Sequence, residues 1–158
     1  MIEIRPLNKY DDPDTLVELS RSFLKEYEGH HKEFFKLDTV RAKDAKKIFI
    51  DSLNGKNSRT ILALDDGAVI GFMSVSMRVR TPPFYRIKRI GHGSVLIVKK
   101  EYRRRGIAAL LIKEAMRWFK SKGVKYFDLE TSAKNKKAIE FYRKHRFELL
   151  RVQFLGKV

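Results

Sequence analysis

Residues 95–109 read VLIVKKEYRRRGIAA, and this stretch decides the fold. Val95 to Val98 form a short apolar run bounded by Gly93 before and charge after, the pattern of a buried strand. Charged residues follow, then Gly106. From Ile107 the apolar residues recur as Ile107, Leu110, Leu111, Ala115, Trp118 and Phe119, which is helical spacing. The reading is strand, basic loop, glycine, helix start. A helix start leaves its first backbone N–H groups unpaired, with the positive end of the helix dipole behind them, and phosphate suits such a place. Gly106 and small Ala108 leave room for close backbone approach. On geometry alone this is either an anion site or an ordinary helix start beside a solvated basic loop.

Working outward, Arg103-x-x-Gly106-x-Ala108 directly after a strand reading LIV resembles the acyl-CoA pyrophosphate loop, Gln/Arg-x-x-Gly-x-Gly/Ala, of the GNAT superfamily of N-acetyltransferases. Downstream, Asn135, Ala138, Phe141, Tyr142 and Phe147 in NKKAIEFYRKHRF resemble the asparagine–alanine–phenylalanine–tyrosine signature on that family's last helix. Both motifs occur in the family's order.

Composition is consistent with one domain over residues 1–158, long enough to bury its own core. Apolar content of 43% excludes a disordered chain. No apolar run reaches membrane-spanning length, and MIEIRPLNKY lacks the apolar middle of a signal peptide, so a cytoplasmic protein without membrane contact is expected. With no cysteine there is no disulfide, thiol nucleophile or cysteine-ligated metal. His30, His31 and Glu33 read as a solvated loop, and no metal is expected. The charge is lopsided. Residues 1–70 hold twelve Lys and Arg against thirteen Asp and Glu, a net of −1, whereas residues 71–158 hold twenty-three against six, a net of +17. Such asymmetry suggests a polyanionic partner for the second half; coenzyme A and RNA are both polyanions.

Along the chain, residues 2–6 read as a strand ended by Pro6. Asp11, Asp12 and Asp14 around Pro13 offer N-cap chemistry for a helix ending near Gly29. A second helix fits Asp38 to Leu53, closed by Asn54 and Gly55. Thr60 to Leu64 and Ala68 to Val79 are joined by Asp65-Asp66-Gly67, a hairpin signal. Pro82 and Pro83 make a loop before the central strand. Val124 to Thr131 gives a fifth strand, Asn135 to His145 a last helix, and Phe147 to Leu155 a final strand. The order describes an α+β sandwich. It agrees with the GNAT fold that the resemblance implies: a mixed, mostly antiparallel sheet of six to seven strands, splayed between strands 4 and 5, with helices on both faces. The acceptor-side helices would cover about residues 11–54 and the acetyl-CoA-binding core about 90–147.

The resemblance also implies a site. Backbone groups of Leu96, Ile97 and Val98 would hold the pantetheine arm of acetyl-CoA. Arg103, Arg104, Arg105, Gly106, Ile107 and Ala108 would hold its pyrophosphate, chiefly through backbone N–H groups. Asn135 would contact the cofactor, cap its helix, or both. Tyr142 takes the place of the family's tyrosine, which faces the sulfur, as general acid. Glu130 falls opposite Phe127 and Leu129 by strand alternation and is the candidate base; its spacing of twelve residues from Tyr142 is similar to that of the glutamate–tyrosine pair in ribosomal-protein alanine acetyltransferases. His92, in IGHGS, is the other titratable residue near the cleft; a glycine–histidine here is similar to that of some protein N-terminal acetyltransferases, and the plainer reading is a structural histidine. Two departures stand out: Arg146 occurs where the family has glycine, and the chain ends eleven residues beyond Phe147, where many relatives carry a further hairpin.

The expected activity is acetyl transfer from acetyl-CoA to a primary amine: a peptide N-terminus, a lysine or a small molecule such as a polyamine or aminoglycoside. Acidic residues on the N-terminal helices would suit a cationic acceptor. The alternative is a binding module of the same fold whose basic half docks RNA or the ribosome, since Tyr85, Arg86, Lys88 and Arg89 interleave aromatic and basic side chains. Self-association as a homodimer through the edge of the final strand stands as a third possibility.

Overall fold

A computed structural model describes residues 1–35, 42–80 and 84–157. The elements run β1 (Ile2–Pro6), α1 (Pro13–Glu28), α2 (Ala42–Asn54), β2 (Ser58–Asp65), β3 (Ala68–Val79), β4 (Arg89–Val98), α3 (Ile107–Ser121), β5 (Phe127–Leu129) and α4 (Lys136–Lys144). The strands lie in sequence order in one five-stranded sheet. The first four are antiparallel neighbours and β5 runs parallel to β4.

Local chemistry explains the boundaries. Asp12 caps α1 by accepting from the Asp14 N–H at 3.0 Å, and Pro13 takes the first turn, where its missing N–H removes nothing. Between β2 and β3 the chain turns through Asp66 and Gly67, both at positive φ (46° and 82°), as a two-residue hairpin loop matching strand twist requires. Helices α3 and α4 end alike. Gly123 (φ 70°) follows α3 and Arg146 (φ 65°) follows α4. In each case the next residue donates back across the last turn: Val124 to Phe119 O and Phe147 to Tyr142 O, both at 3.0 Å. This is the Schellman arrangement, made at α4 by an arginine.

Strand alternation gives the sheet two apolar faces. Ile61, Ala63, Met73 and Val75 pack against Leu111, Ala115, Trp118 and Phe119 of α3, and Phe141, Tyr142 and Phe147 join the same side. Leu62, Leu64 and Phe72 pack against Leu16, Val17 and Leu19 of α1 and Phe49 of α2. Each fully buried large side chain contributes roughly 1.5–3 kcal/mol relative to exposure.

Three expectations change. The central strand is longer than its apolar run, because Ile90, Gly91, His92 and Gly93 are also buried in it. The fifth strand is only Phe127–Leu129; Val124 instead closes the turn that follows α3, its N–H donating to Phe119 O. The final strand over Phe147 to Leu155 is not formed, so the sheet has five strands rather than six or seven. Beyond Phe147 the apolar residues find no described surface to bury against: Leu150 is 75% and Phe154 90% exposed. Without burial, an apolar pattern does not offset the entropy of ordering the chain. The start of the second helix, placed at Asp38, lies outside the described residues.

Candidate active site

The site begins where the sheet forks. β4 pairs with β5 only through Gly91, His92 and Gly93, and from Ser94 onward it has no partner on that side among the described residues. At this point the β3 register skips Ser94, with Ser74 opposite Val95 and Val75 opposite Gly93, a bulge of the kind that re-aims a strand. The Lys99 N–H donates to Ile70 O at 2.9 Å. Alternation then turns the backbone of Val95 and Ile97 toward β3 and that of Leu96 and Val98 into the opening. Ile97 is fixed in place by its buried side chain.

The opening runs into the basic loop. Arg104 (φ 62°) and Gly106 (φ 80°) are both left-handed, and Gly106 is the N-cap of α3 without a side-chain cap. The first intrahelical bond is Leu110 N–H to Gly106 O, 3.1 Å. The N–H groups of Ile107, Ala108 and Ala109 are therefore free of helical partners. Ile107 contributes only its backbone, because its side chain is in the core. Arg103 is committed elsewhere: its Nε donates to Val98 O at 2.9 Å, and its two terminal nitrogens reach both Glu26 oxygens at 3.0 Å. Arg104 and Arg105 are exposed, and Arg105 lies over the Tyr102 ring. Asn135 caps α4, its Oδ1 accepting from the Ala138 N–H at 3.2 Å.

Tyr142 projects from α4 beside Phe141 and Phe147, with ring centroids 5.4 and 5.7 Å away. Its hydroxyl has no hydrogen-bond partner among the described residues. Burial, with a smaller contribution from the Tyr27 phenol, pushes its pKa up to about 12, so the proton is retained. Tyr27 itself, from α1, shares a hydrogen bond with Thr131 Oγ1 (3.0 Å) and accepts from the Ser132 N–H (3.1 Å). It ties the first helix to the strand end beyond β5. Glu130 is exposed, one residue past β5.

His92 is 5% exposed. Its Nδ1 lies 2.6 Å from Asp128 Oδ1, and the other oxygen of Asp128 is hydrogen-bonded by Arg80. Neither Asp128 nor Tyr27 stands out in sequence. Asp128 carries the same alternation signal as Glu130, two residues earlier, and Tyr27 looks like any helix-face aromatic.

Acidic residues in and just ahead of the first helix are engaged: Asp11 with Arg5, Asp14 with Lys46, and Glu26 with Arg103 and Lys100. No described helix is long and apolar enough to cross a membrane, and no described cluster of three or more His, Asp or Glu could hold a metal.

The site thus combines a sheet forked between β4 and β5, the backbone amides of Leu96 and Val98 along the fork, a glycine-led helix start and a tyrosine on α4 that keeps its proton. Residues 17–147 match the model of the acetyltransferase (GNAT) family. The chain belongs to that family. It is 28% identical to the spermidine N(1)-acetyltransferase of Thermoplasma acidophilum over 153 residues, 94% of this chain and 89% of the relative. Among solved structures, the PaiA N-acetyltransferase from Thermoplasma acidophilum in complex with coenzyme A superposes with a TM-score of 0.77 at 20% identity, covering 97% of this chain and 93% of that one. The aminoglycoside N-acetyltransferase AAC(6')-Iy in complex with CoA gives 0.74 at 23% identity, covering 99% and 95%.

Proposed function

We propose that the protein is an acetyl-CoA-dependent N-acetyltransferase that moves the acetyl group directly to a primary amine. The observation that carries the reading is Tyr142: a half-buried phenol on α4 that keeps its proton and has no described partner. Bound acetyl-CoA supplies an activated thioester carbonyl. Leu96 and Val98 offer the backbone N–H groups to align the pantetheine arm, and one such amide supports the carbonyl oxygen as negative charge develops. Arg104 and Arg105 add positive charge beside the free amides of Ile107, Ala108 and Ala109, a suitable seat for the pyrophosphate. Tyr142 donates its proton to the departing thiolate.

The acceptor amine must lose a proton before it attacks. Glu130 is the base indicated by sequence alone. The helices over about residues 11–54 would face the acceptor and residues about 90–147 the donor. The names of the relatives, a spermidine and an aminoglycoside acetyltransferase, favour a small polyamine or amino sugar as acceptor over a peptide.

Titration calorimetry with acetyl-CoA, beside dephospho-acetyl-CoA and an RNA oligomer, tests the reading. Micromolar binding of acetyl-CoA followed by acetylation of spermidine supports it. Salt-sensitive binding of RNA without binding of acetyl-CoA would favour the docking module instead. The feature that would serve that second reading is Tyr85, whose ring lies 5.4 Å from the guanidinium groups of both Arg80 and Arg151.

A further inference from the structure

Positive charge gathers at a second place, far from the basic loop ahead of α3. β4 runs ten residues, from Arg89 to Val98, so its two ends lie about 30 Å apart at the usual strand rise. That exceeds three screening lengths of about 8 Å each in physiological salt. Charge at the start of β4 therefore does nothing for an anion seated at the start of α3. The β3–β4 hairpin builds this second place. Arg78 pairs with Ile90 and Val79 with Arg89, and the Arg80 N–H donates to Lys88 O at 2.7 Å. Every residue from Phe84 to Arg89 is exposed, as are Arg78 and Val79. Arg80 pairs with Asp128, whereas Arg78, Arg86, Lys88 and Arg151 have no carboxylate partner among the described residues. Arg89 has only the Met77 sulfur. Like charges crowded into one hairpin repel one another, which suits a surface that takes a polyanion.

Aromatic rings stand among these cations. Tyr85 holds the guanidinium groups of Arg80 and Arg151, each 5.4 Å from its ring, and its hydroxyl accepts from Arg151. The contact ties residue 151 to the hairpin. Phe84, next in the chain, is 90% exposed. Tyr126, whose carbonyl accepts from the Gly91 N–H at 2.9 Å, is 59% exposed. Neither ring has a partner among the described residues, so both offer open π-faces. The cations also wrap the hairpin. A Cβ on Gly91 would strike Phe119 of α3, so Ile90 points to the α1–α2 side, and Arg78, Arg80 and Lys88 share its face by pairing and alternation. Arg89 lies on the α3 side, with Met77. A bilayer meets a protein on one plane and a duplex is a stiff rod. A flexible single strand can follow charge around a hairpin while stacking its bases on exposed rings.

We propose that the β3–β4 hairpin, with Tyr126 and Arg151, is a binding surface for single-stranded nucleic acid, separate from the acetyl-CoA site and occupied independently of it. Phosphates lie along Arg78, Arg86, Lys88, Arg89 and Arg151, and bases stack on Phe84 and Tyr126. This surface is a further function beside acetyl transfer and does not rest on the N-acetyltransferase reading.

The test is fluorescence anisotropy with labelled oligo(U) and oligo(dT) of about 12 nucleotides, within the usual site size, across a salt series. Both should bind, and the tighter of the two names the sugar. Arg86→Ala with Lys88→Ala should weaken binding about 10-fold or more and flatten the slope of log K against log salt by about 1.4, two phosphate contacts on a single strand. Phe84→Ala should weaken binding about 5-fold or more through lost stacking and leave the salt slope unchanged. Lys113→Ala with Lys120→Ala, exposed on α3, removes the same charge elsewhere and should keep affinity within about twofold. Saturating acetyl-CoA should not displace the strand. Equal losses in the two double variants would mean diffuse attraction to a basic protein and overturn the proposal. So would an unchanged Phe84→Ala, displacement by acetyl-CoA, or tighter binding to a duplex of the same length or to phosphatidylserine vesicles. If the strand binds as expected and acetyl-CoA does not bind at all, the N-acetyltransferase reading fails and this one stands.

Discussion

Arg103 and Glu26 meet as a two-pronged ion pair, each terminal guanidinium nitrogen 3.0 Å from a carboxylate oxygen. The pair ties the last turns of α1 to the loop ahead of α3, while the same arginine's Nε holds Val98 O. An arginine in the phosphate-loop motif thus braces the loop from outside instead of projecting as a free charge.

The brace has a pH signature. Arg103 beside it holds the Glu26 carboxyl below the usual glutamate range. A depressed folded-state pKa contributes stability that is present above the unfolded value, about 4.3, and is lost as pH falls through the folded one. Glu26→Gln should therefore cost about 0.5–1 kcal/mol at pH 7, a modest figure because both side chains are partly exposed. The difference should shrink toward zero near pH 3. Urea unfolding at the two pH values checks this; an unchanged difference would mean the contact does not depend on charge.

Tyr142→Phe should slow acetyl transfer about 100-fold with acetyl-CoA affinity within about twofold, read from steady-state turnover and calorimetry. Stability gives a second readout. The Tyr142 pKa is raised to about 12 in the folded chain, so its contribution is full below the unfolded value near 10 and is lost as pH rises toward 12. The phenylalanine variant should lose less stability than wild type between pH 10 and 12. Turnover at the wild-type rate would remove the general-acid role.

Gly106 separates strain from charge. A Cβ there meets nothing within 4 Å, yet the backbone is at φ 80°. Gly106→Ala should cost about 1–2 kcal/mol of stability through the left-handed backbone and retain measurable acetyl-CoA binding. Gly106→Glu should abolish that binding by placing a carboxylate among the amides. Equal affinities for acetyl-CoA in the two variants would show that the phosphates bind elsewhere.

Arg146 occupies a left-handed position at φ 65°, where its Cβ is unfavourable and glycine is usual. Arg146→Gly should stabilise the protein by about 1 kcal/mol, raising Tm by about 2–4 °C, with the Phe147–Tyr142 ring contact kept. A lower Tm would show that the arginine side chain contributes more than its backbone strain removes.

Most of the fold is legible in the sequence because its signals are local. The Asp66-Gly67 turn, the Asp12 cap and the helical spacing after Gly106 each act within a few residues. The basic loop and the left-handed glycine ahead of α3 could be read for the same reason. The final strand could not, since alternation in residues 147–155 says nothing about whether a partner surface exists. Nor could the pairing of His92 with Asp128, which depends on a parallel register between positions 36 apart. Sequence favours Glu130 over Asp128 only through its twelve-residue spacing from Tyr142, since alternation puts both on one face.

The free amides at the fork and at the start of α3 belong to the main chain, and that has a consequence for how such a protein diverges. Substitution changes side chains and leaves peptide groups in place, so a grip made of backbone is inherited as long as the bends at Ser94 and Gly106 persist. Side chains facing the acceptor carry no such protection and are free to drift. A lineage built this way could exchange the molecule it modifies while retaining its donor.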